Sequence, residues 1–257
     1  MVTPDGAVVV VTGGASGIGK ALAQRVAAAG AKAVVVADLD GSLAEEVAAT
    51  LGGVGVSRSL DVTDEAAVSA VVEEITSRFG EVDIWCSNAG VPSRGGLGDD
   101  ADWDHTFRVH VMAHVYVARH LLPRMAARRS GHLMVTASAA GLLTEMDTAP
   151  YTVTKHGAVS LAEWLAIQYG DQGVSVSCLC PQGVRTPMTA GFDSGSATLA
   201  AGALLDPSDV ADAVLEAWES GRFLILPHPE VAEYERRRAT DRDRWLAGMR
   251  KVRARLR

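Results

Sequence analysis

AVVVVTGGASGIGKAL, residues 7–22, runs from an apolar β-branched stretch through a glycine-rich turn into an alanine-rich helical stretch. The apolar run is strand-sized and far too short to span a membrane. Gly13, Gly17 and Gly19 lie between strand and helix, where a tight turn brings backbone N–H groups to a diphosphate. Their spacing is GxxxGxG rather than GxGxxG. Glycines also make ordinary strand–helix turns, but the position directly after a first strand favours phosphate binding.

The same alternation continues outward from this turn. Strands are expected at 7–12, 32–38, 54–60, 82–88, 132–138, 174–180 and 223–227, and helices at 18–29, 42–51, 64–78, 102–128, 151–169 and 207–220. Seven nearly all-apolar strands separated by helices imply an α/β fold, a doubly wound seven-stranded parallel sheet with helices on both faces. Right-handed crossovers then put ligands at the carboxyl ends of the strands. No linker, repeat or low-complexity block divides residues 1–257, so one domain is expected.

Apolar residues at 48% and charged residues at 21% are close to the globular average. The N-terminus lacks a basic n-region and a cleavage site, which implies a cytoplasmic protein, and no apolar run implies a membrane. Cys178 and Cys180 lie two apart on a strand without CxxC spacing and are read as buried, reduced thiols, like Cys86. Net charge is −7, unevenly spread: residues 236–257 carry ten Arg/Lys and two Asp, net +8, against −15 elsewhere. Within that segment Trp245, Met249, Val252 and Leu256 recur at amphipathic-helix spacing. Residues from about 229 to 257 are therefore expected to form a basic helix packed on the domain by its apolar stripe, not a nucleic-acid-binding tail.

Strand two ends in VVVADLD, with Asp38 at its tip about 20 residues beyond the glycines. A carboxylate there accepts the ribose hydroxyls of NAD and repels the 2′-phosphate of NADP. The alternative role is a helix N-cap, which Asp40 or Ser42 could fill instead. Residues 150–158 read PYTVTKHGA, so Tyr151 and Lys155 stand one helical turn apart. A cation beside a phenol favours the phenolate, and a fall toward pKa 7 takes about 4 kcal/mol, to which the positive charge of a nicotinamide would contribute.

With these motifs in order, residues 7 to about 228 resemble the short-chain dehydrogenase/reductase family. TGGASGIG fits its TGxxxGxG turn, Asn88-Ala89-Gly90 its NAG motif, and Asp61-Val62 its adenine-contacting pair. Ser138 lies thirteen residues before Tyr151, and PQGVRTPM (181–188) fits PGxVxTP, with Gln182 where glycine is usual. The resemblance implies a Rossmann fold and an oxidoreductase transferring hydride between NAD and a carbinol or carbonyl carbon. It assigns Gly13, Ser16, Gly17, Ile18, Gly19, Asp38, Asp61, Val62, Asn88, Ala89 and Gly90 to the cofactor. Lys155 would hold the nicotinamide ribose and tune Tyr151, Thr186 would contact the carboxamide, and Pro181 and Val184 would shape the ring's pocket. Tyr151 would move the proton as general acid/base, and Ser138 would hold the substrate oxygen.

The main departure lies in WDHTFRVHV, where His110 stands at the position of the family's tetrad asparagine. The family group acts through its backbone carbonyl, so a relay could persist, or the imidazole could enter it with a pKa near the working range. Reduced activity, or a nucleotide-binding pseudoenzyme, is the competing reading. His110 and His114 share a helical face, but HxxxH without a third ligand is a weak metal signal, and no metal is expected. His156 is expected to point off the catalytic face.

The segments that choose the substrate, 139–149 and 187–205, are small and apolar and contain no Arg or Lys. They suit an apolar alcohol or ketone. The family further implies a homotetramer or homodimer packed through the helices at 102–128 and 151–169. An NADPH-dependent carbonyl reductase is the alternative within the enzyme class.

Overall fold

The computed structural model describes residues 3–190 and 204–256. Every residue of β1 (Val8–Thr12) is buried, because the sheet is covered on both faces. Val8 and Val10 enter one core, and Val9 and Val11 the other. The remaining strands are β2 (Ala33–Asp38), β3 (Gly55–Ser59), β4 (Ile84–Ser87), β5 (His132–Thr136), β6 (Ser175–Leu179) and β7 (Leu224–Ile225). All pair in parallel, in the order β3-β2-β1-β4-β5-β6-β7. This is the Rossmann arrangement, and strand order reverses between β1 and β4, where a crevice opens at the carboxyl ends.

Helices α1 (Gly17–Ala28), α2 (Gly41–Thr50) and α7 (Pro207–Glu219) cover one face, through residues such as Leu22, Val47 and Trp218. Helices α3 (Glu65–Phe79), α5 (Ala113–Ala127) and α6 (Ala149–Tyr169) cover the other, through Ile75, Leu121 and Leu165. No helix of the described residues is long and apolar enough to cross a membrane.

Two expectations are corrected. The helix expected over 102–128 is continuous but not α-helical throughout: α4 (Asp100–Phe107) passes through a π-helical turn, Arg108–Met112, into α5. Ala113 N–H reaches back to the Arg108 carbonyl, so one extra residue is wound into this turn, which contains His110. The C-terminal segment is two helices, α8 (Glu230–Thr240) and α9 (Arg242–Arg255), divided at Asp241. Asp241 has extended backbone and its carboxylate accepts Arg244 N–H at 2.9 Å, which starts the second helix. No residue of α9 is buried, so its apolar stripe is not packed into the core.

Candidate active site

The glycine turn is fixed by contacts that no larger residue allows. Gly13 has φ 62°, and a Cβ there would lie 2.9 Å from Ala89 Cα. A Cβ on Gly19 would lie 2.1 Å from the Gly13 carbonyl oxygen, so Gly19 lets α1 start directly against the turn and does not itself face the crevice. Ser16 is the N-cap of α1 but makes no side-chain cap, which leaves the helix-start N–H groups available to a ligand.

Asp38 supports this turn from β2, its Oδ2 accepting Ala15 N–H at 3.0 Å. Asp40, not Asp38, caps α2 by accepting Ser42 and Leu43 N–H, each at 3.1 Å. Asn88 ties strand to strand: its Nδ2 donates to the Thr12 carbonyl at 3.1 Å, and its N–H donates to Thr12 Oγ1 at 2.9 Å. Thr12, which the sequence did not single out, thus joins β1 to the segment after β4.

Tyr151 and Lys155 lie on the first turns of α6, capped by Thr148, with Lys155 Nζ 5.6 Å from the phenol ring centroid. Lys155 is buried and donates to the Thr136 carbonyl at 3.1 Å; burial lowers its pKa to about 8. Burial also drives the Tyr151 phenol up to about 12, against the pull of a hydrogen bond from Ser138. Burial is the largest cause, and the phenol holds its proton at neutral pH; the expected fall toward 7 invoked the charge of a bound nicotinamide besides Lys155. Ser138 extends from β5, accepting Ala140 N–H at 3.1 Å.

His110 is fully buried and does not line the crevice. Thr154 Oγ1, which donates to the Pro150 carbonyl at 2.7 Å, lies 2.9 Å from His110 Nδ1. Nε2 lies 3.1 Å from both the N–H and the carbonyl oxygen of Val91, so the ring is held at both ends in either neutral tautomer. Burial first, then Lys155, pushes the ring's pKa well below 6.5, which overturns a pKa near the working range. The imidazole is a neutral brace between the NAG loop and α6.

His114 is buried too, its Nδ1 2.6 Å from Ser87 Oγ, and burial lowers its pKa to about 3. Among the described residues no group of three candidate ligands surrounds these rings. His156 donates Nδ1–H to the Thr152 carbonyl at 2.9 Å and faces Arg238 Nη2 at 3.2 Å, tying α6 to α8.

One cavity of about 1520 Å³ joins these parts. Apart from Gly19 and His110, the sequence-assigned residues line it: Gly13, Ser16, Gly17 and Ile18, Asp38, Asp61-Val62, Asn88 to Gly90, Ser138, Tyr151, Lys155, and Pro181, Val184 and Thr186. Pockets for drug-sized ligands run to about 1,000 Å³, so there is room for a dinucleotide and a second molecule. Thr136 Oγ1 and Gln182 Oε1, on two of its lining residues, are buried without hydrogen-bond partners. Together with the uncapped helix start and the carboxylate of Asp38, these features fit a nicotinamide dinucleotide.

The sequence missed part of the wall. Tyr234 and Arg237 of α8 and Trp245, Met249, Val252 and Leu256 of the α9 segment line the same cavity. Their helical spacing was legible, but not that the stripe overhangs a ligand site. The segment 139–149 also lines it, whereas residues 191–203 of the second substrate segment lie outside the described residues.

The short chain dehydrogenase family pattern matches residues 7–196. The chain belongs to this family. It is 38% identical over 237 residues to 1-deoxy-11-beta-hydroxypentalenate dehydrogenase of Streptomyces avermitilis, covering 86% of this chain and 84% of that one. It is 35% identical to a mitochondrial borneol dehydrogenase of Lavandula x intermedia, over 82% and 83% of the two chains. A short-chain dehydrogenase/reductase of Burkholderia phymatum, solved in complex with NAD, superposes with TM-score 0.85 at 31% identity, covering 95% and 96%. The chain is thus an enzyme of the short-chain oxidoreductase class.

Proposed function

We propose that this enzyme is an NAD-dependent dehydrogenase of apolar secondary alcohols, able to run the reverse ketone reduction. The observation that carries this reading is one cavity lined by the glycine turn and Asp38, by Ser138, Tyr151 and Lys155, and by the apolar stripe of the α9 segment. Relatives named for a hydroxypentalenate and for borneol support an alcohol on a bulky apolar skeleton. Asp38 supports NAD over NADP, since a carboxylate there opposes a 2′-phosphate; the NAD complex of a structural neighbour agrees with it.

Bound NAD would supply the hydride acceptor at the carbinol carbon. The chain's own residues do the rest. Ser138 donates to the substrate oxygen and holds it against Tyr151, stabilising it as charge develops. Tyr151 exchanges a proton with that oxygen: its phenol, protonated in the folded site, is the donor form needed for ketone reduction. In oxidation the phenolate must form, and the Lys155 ammonium is the group on this chain that favours it. His110 acts as a positioning residue, holding Val91 and Thr154 in place of the usual asparagine. A brace outside the cavity leaves the site open, which weighs against a disabled pseudoenzyme.

The exposed face of α6 supports a homo-oligomer: Trp164 and Ile167 are 55% and 76% exposed there, and apolar surface of that kind is normally covered by a partner. Absorbance at 340 nm, with NAD or NADP and alcohols from 2-butanol to bicyclic terpenols, tests the function. Turnover favouring NAD and the bulky alcohols is expected. A preference for NADP, or for small diols, would overturn it.

A further inference from the structure

His228 lies just past β7, 46 residues from Gln182, and is 4% exposed. Its Nδ1 accepts the Gln182 backbone N–H at 3.2 Å, and its Nε2 lies 3.2 Å from the Gly183 carbonyl oxygen. The two partners demand opposite roles of one ring. A backbone N–H only donates and a carbonyl only accepts, so the neutral Nε2–H tautomer satisfies both and no other form does. The clamped dipeptide sits between Pro181 and Val184 in the segment lining the cavity opposite the glycine turn. A Cβ on Gly17 would meet Thr186 Cγ2 at 3.0 Å, so displacement of this segment bears directly on that turn. Gln182 stands where the family usually has glycine, and its Oε1 is buried without a partner.

We infer that His228 is a positioning residue for cofactor binding, its imidazole clamping the Gln182–Gly183 backbone so that Gln182, Val184 and Thr186 form one wall of the dinucleotide site. The inference rests on the NAD reading given above. Neither Phe nor Leu at 228 can replace both contacts: each would leave the buried Gln182 N–H unpaired and would leave the Gly183 carbonyl with Leu205 N–H, at 3.1 Å, as its remaining donor. Asn would keep an acceptor near the position of Nδ1 and lose only the contact to Gly183.

The test is NADH binding by fluorescence, with kcat and KM alongside, for wild type, His228→Phe and His228→Asn. His228→Phe should weaken NADH binding about tenfold or more, as expected for unpaired buried groups. Its KM for NAD should rise while kcat at saturation changes less than about threefold, and His228→Asn should recover most of the affinity. A long-range nitrogen–proton spectrum of the wild-type histidines should show ring 228 as the Nε2–H tautomer, and this decides the matter even if the Phe variant does not fold. An Nδ1–H tautomer, or His228→Phe that folds and binds NADH as wild type does, would overturn the clamp. No NADH binding by the wild type would instead sink the cofactor reading.

Discussion

Acid should unfold this enzyme through its buried histidines well before its carboxylates titrate. Burial lowers the pKa values of His114 and His132 to about 3 and that of His110 well below 6.5. In the unfolded chain each ring titrates near 6.5. Between those values the unfolded state binds protons that the folded state refuses, so stability is complete above about pH 6.5 and is lost as the pH falls. At pH 5.5 each unfolded ring carries about 0.9 proton, which costs about 1.4 kcal/mol relative to pH 7.5, or about 3 kcal/mol for His114 and His132 together, with His110 acting in the same direction. Whole-domain stability is commonly about 5–15 kcal/mol, so the urea midpoint should fall by about a fifth or more. Tryptophan fluorescence in urea at pH 7.5, 6.5 and 5.5 reads this directly. His132→Phe should lower the linked uptake at pH 5.5 by about one proton, while Ser177 keeps its contact with Trp218 Nε1 at 3.4 Å. A midpoint that is flat from pH 7.5 to 5.5, or a slope unchanged in His132→Phe, would refute the assignment of neutral rings.

Three further outcomes follow from the site. Asp38→Asn should shift the kcat/KM ratio of NAD to NADP toward NADP by about tenfold or more, and should also weaken NAD, because Ala15 N–H loses a charged acceptor; an unchanged ratio would remove Asp38 from cofactor choice. Gly19→Ala should abolish NADH binding and lower Tm by several degrees, since the new Cβ would sit 2.1 Å from a backbone oxygen; calorimetry with NADH titration checks both. Truncation after Thr240 should leave the urea midpoint nearly unchanged, because no residue of α9 is buried, yet raise KM for a bulky alcohol about tenfold; KM equal to that of the full chain would show that α9 does not contact substrate.

The sheet was legible because most strands are apolar runs buried on both faces, the edge strand β3 with no buried residue being the exception, and the strand bounds observed fall inside those read from the sequence. The glycine turn and the Tyr151–Lys155 pair were legible because turn and helix geometry convert their spacing into placement. Three features were not. The π-turn at Arg108–Met112 has no composition of its own and is visible only in its hydrogen bonds. The stripe Trp245, Met249, Val252 and Leu256 reads alike whether a helix faces a core or a cavity. The roles of His110 and His228 depend on partners brought near by the fold, Val91 and Thr154 for one and Gln182 and Gly183 for the other. The rise of the Tyr151 phenol in the free site was not legible for a related reason: spacing reveals the cation but not the depth of burial.

The most direct test of Tyr151 as the proton-transfer group is Tyr151→Phe, assayed for NADH affinity by fluorescence and for alcohol oxidation at 340 nm. Loss of one hydroxyl should leave NADH affinity within about twofold and lower kcat by at least about a hundredfold, the scale of general acid–base catalysis. Turnover equal to that of the wild type, with the cofactor still bound, would contradict it.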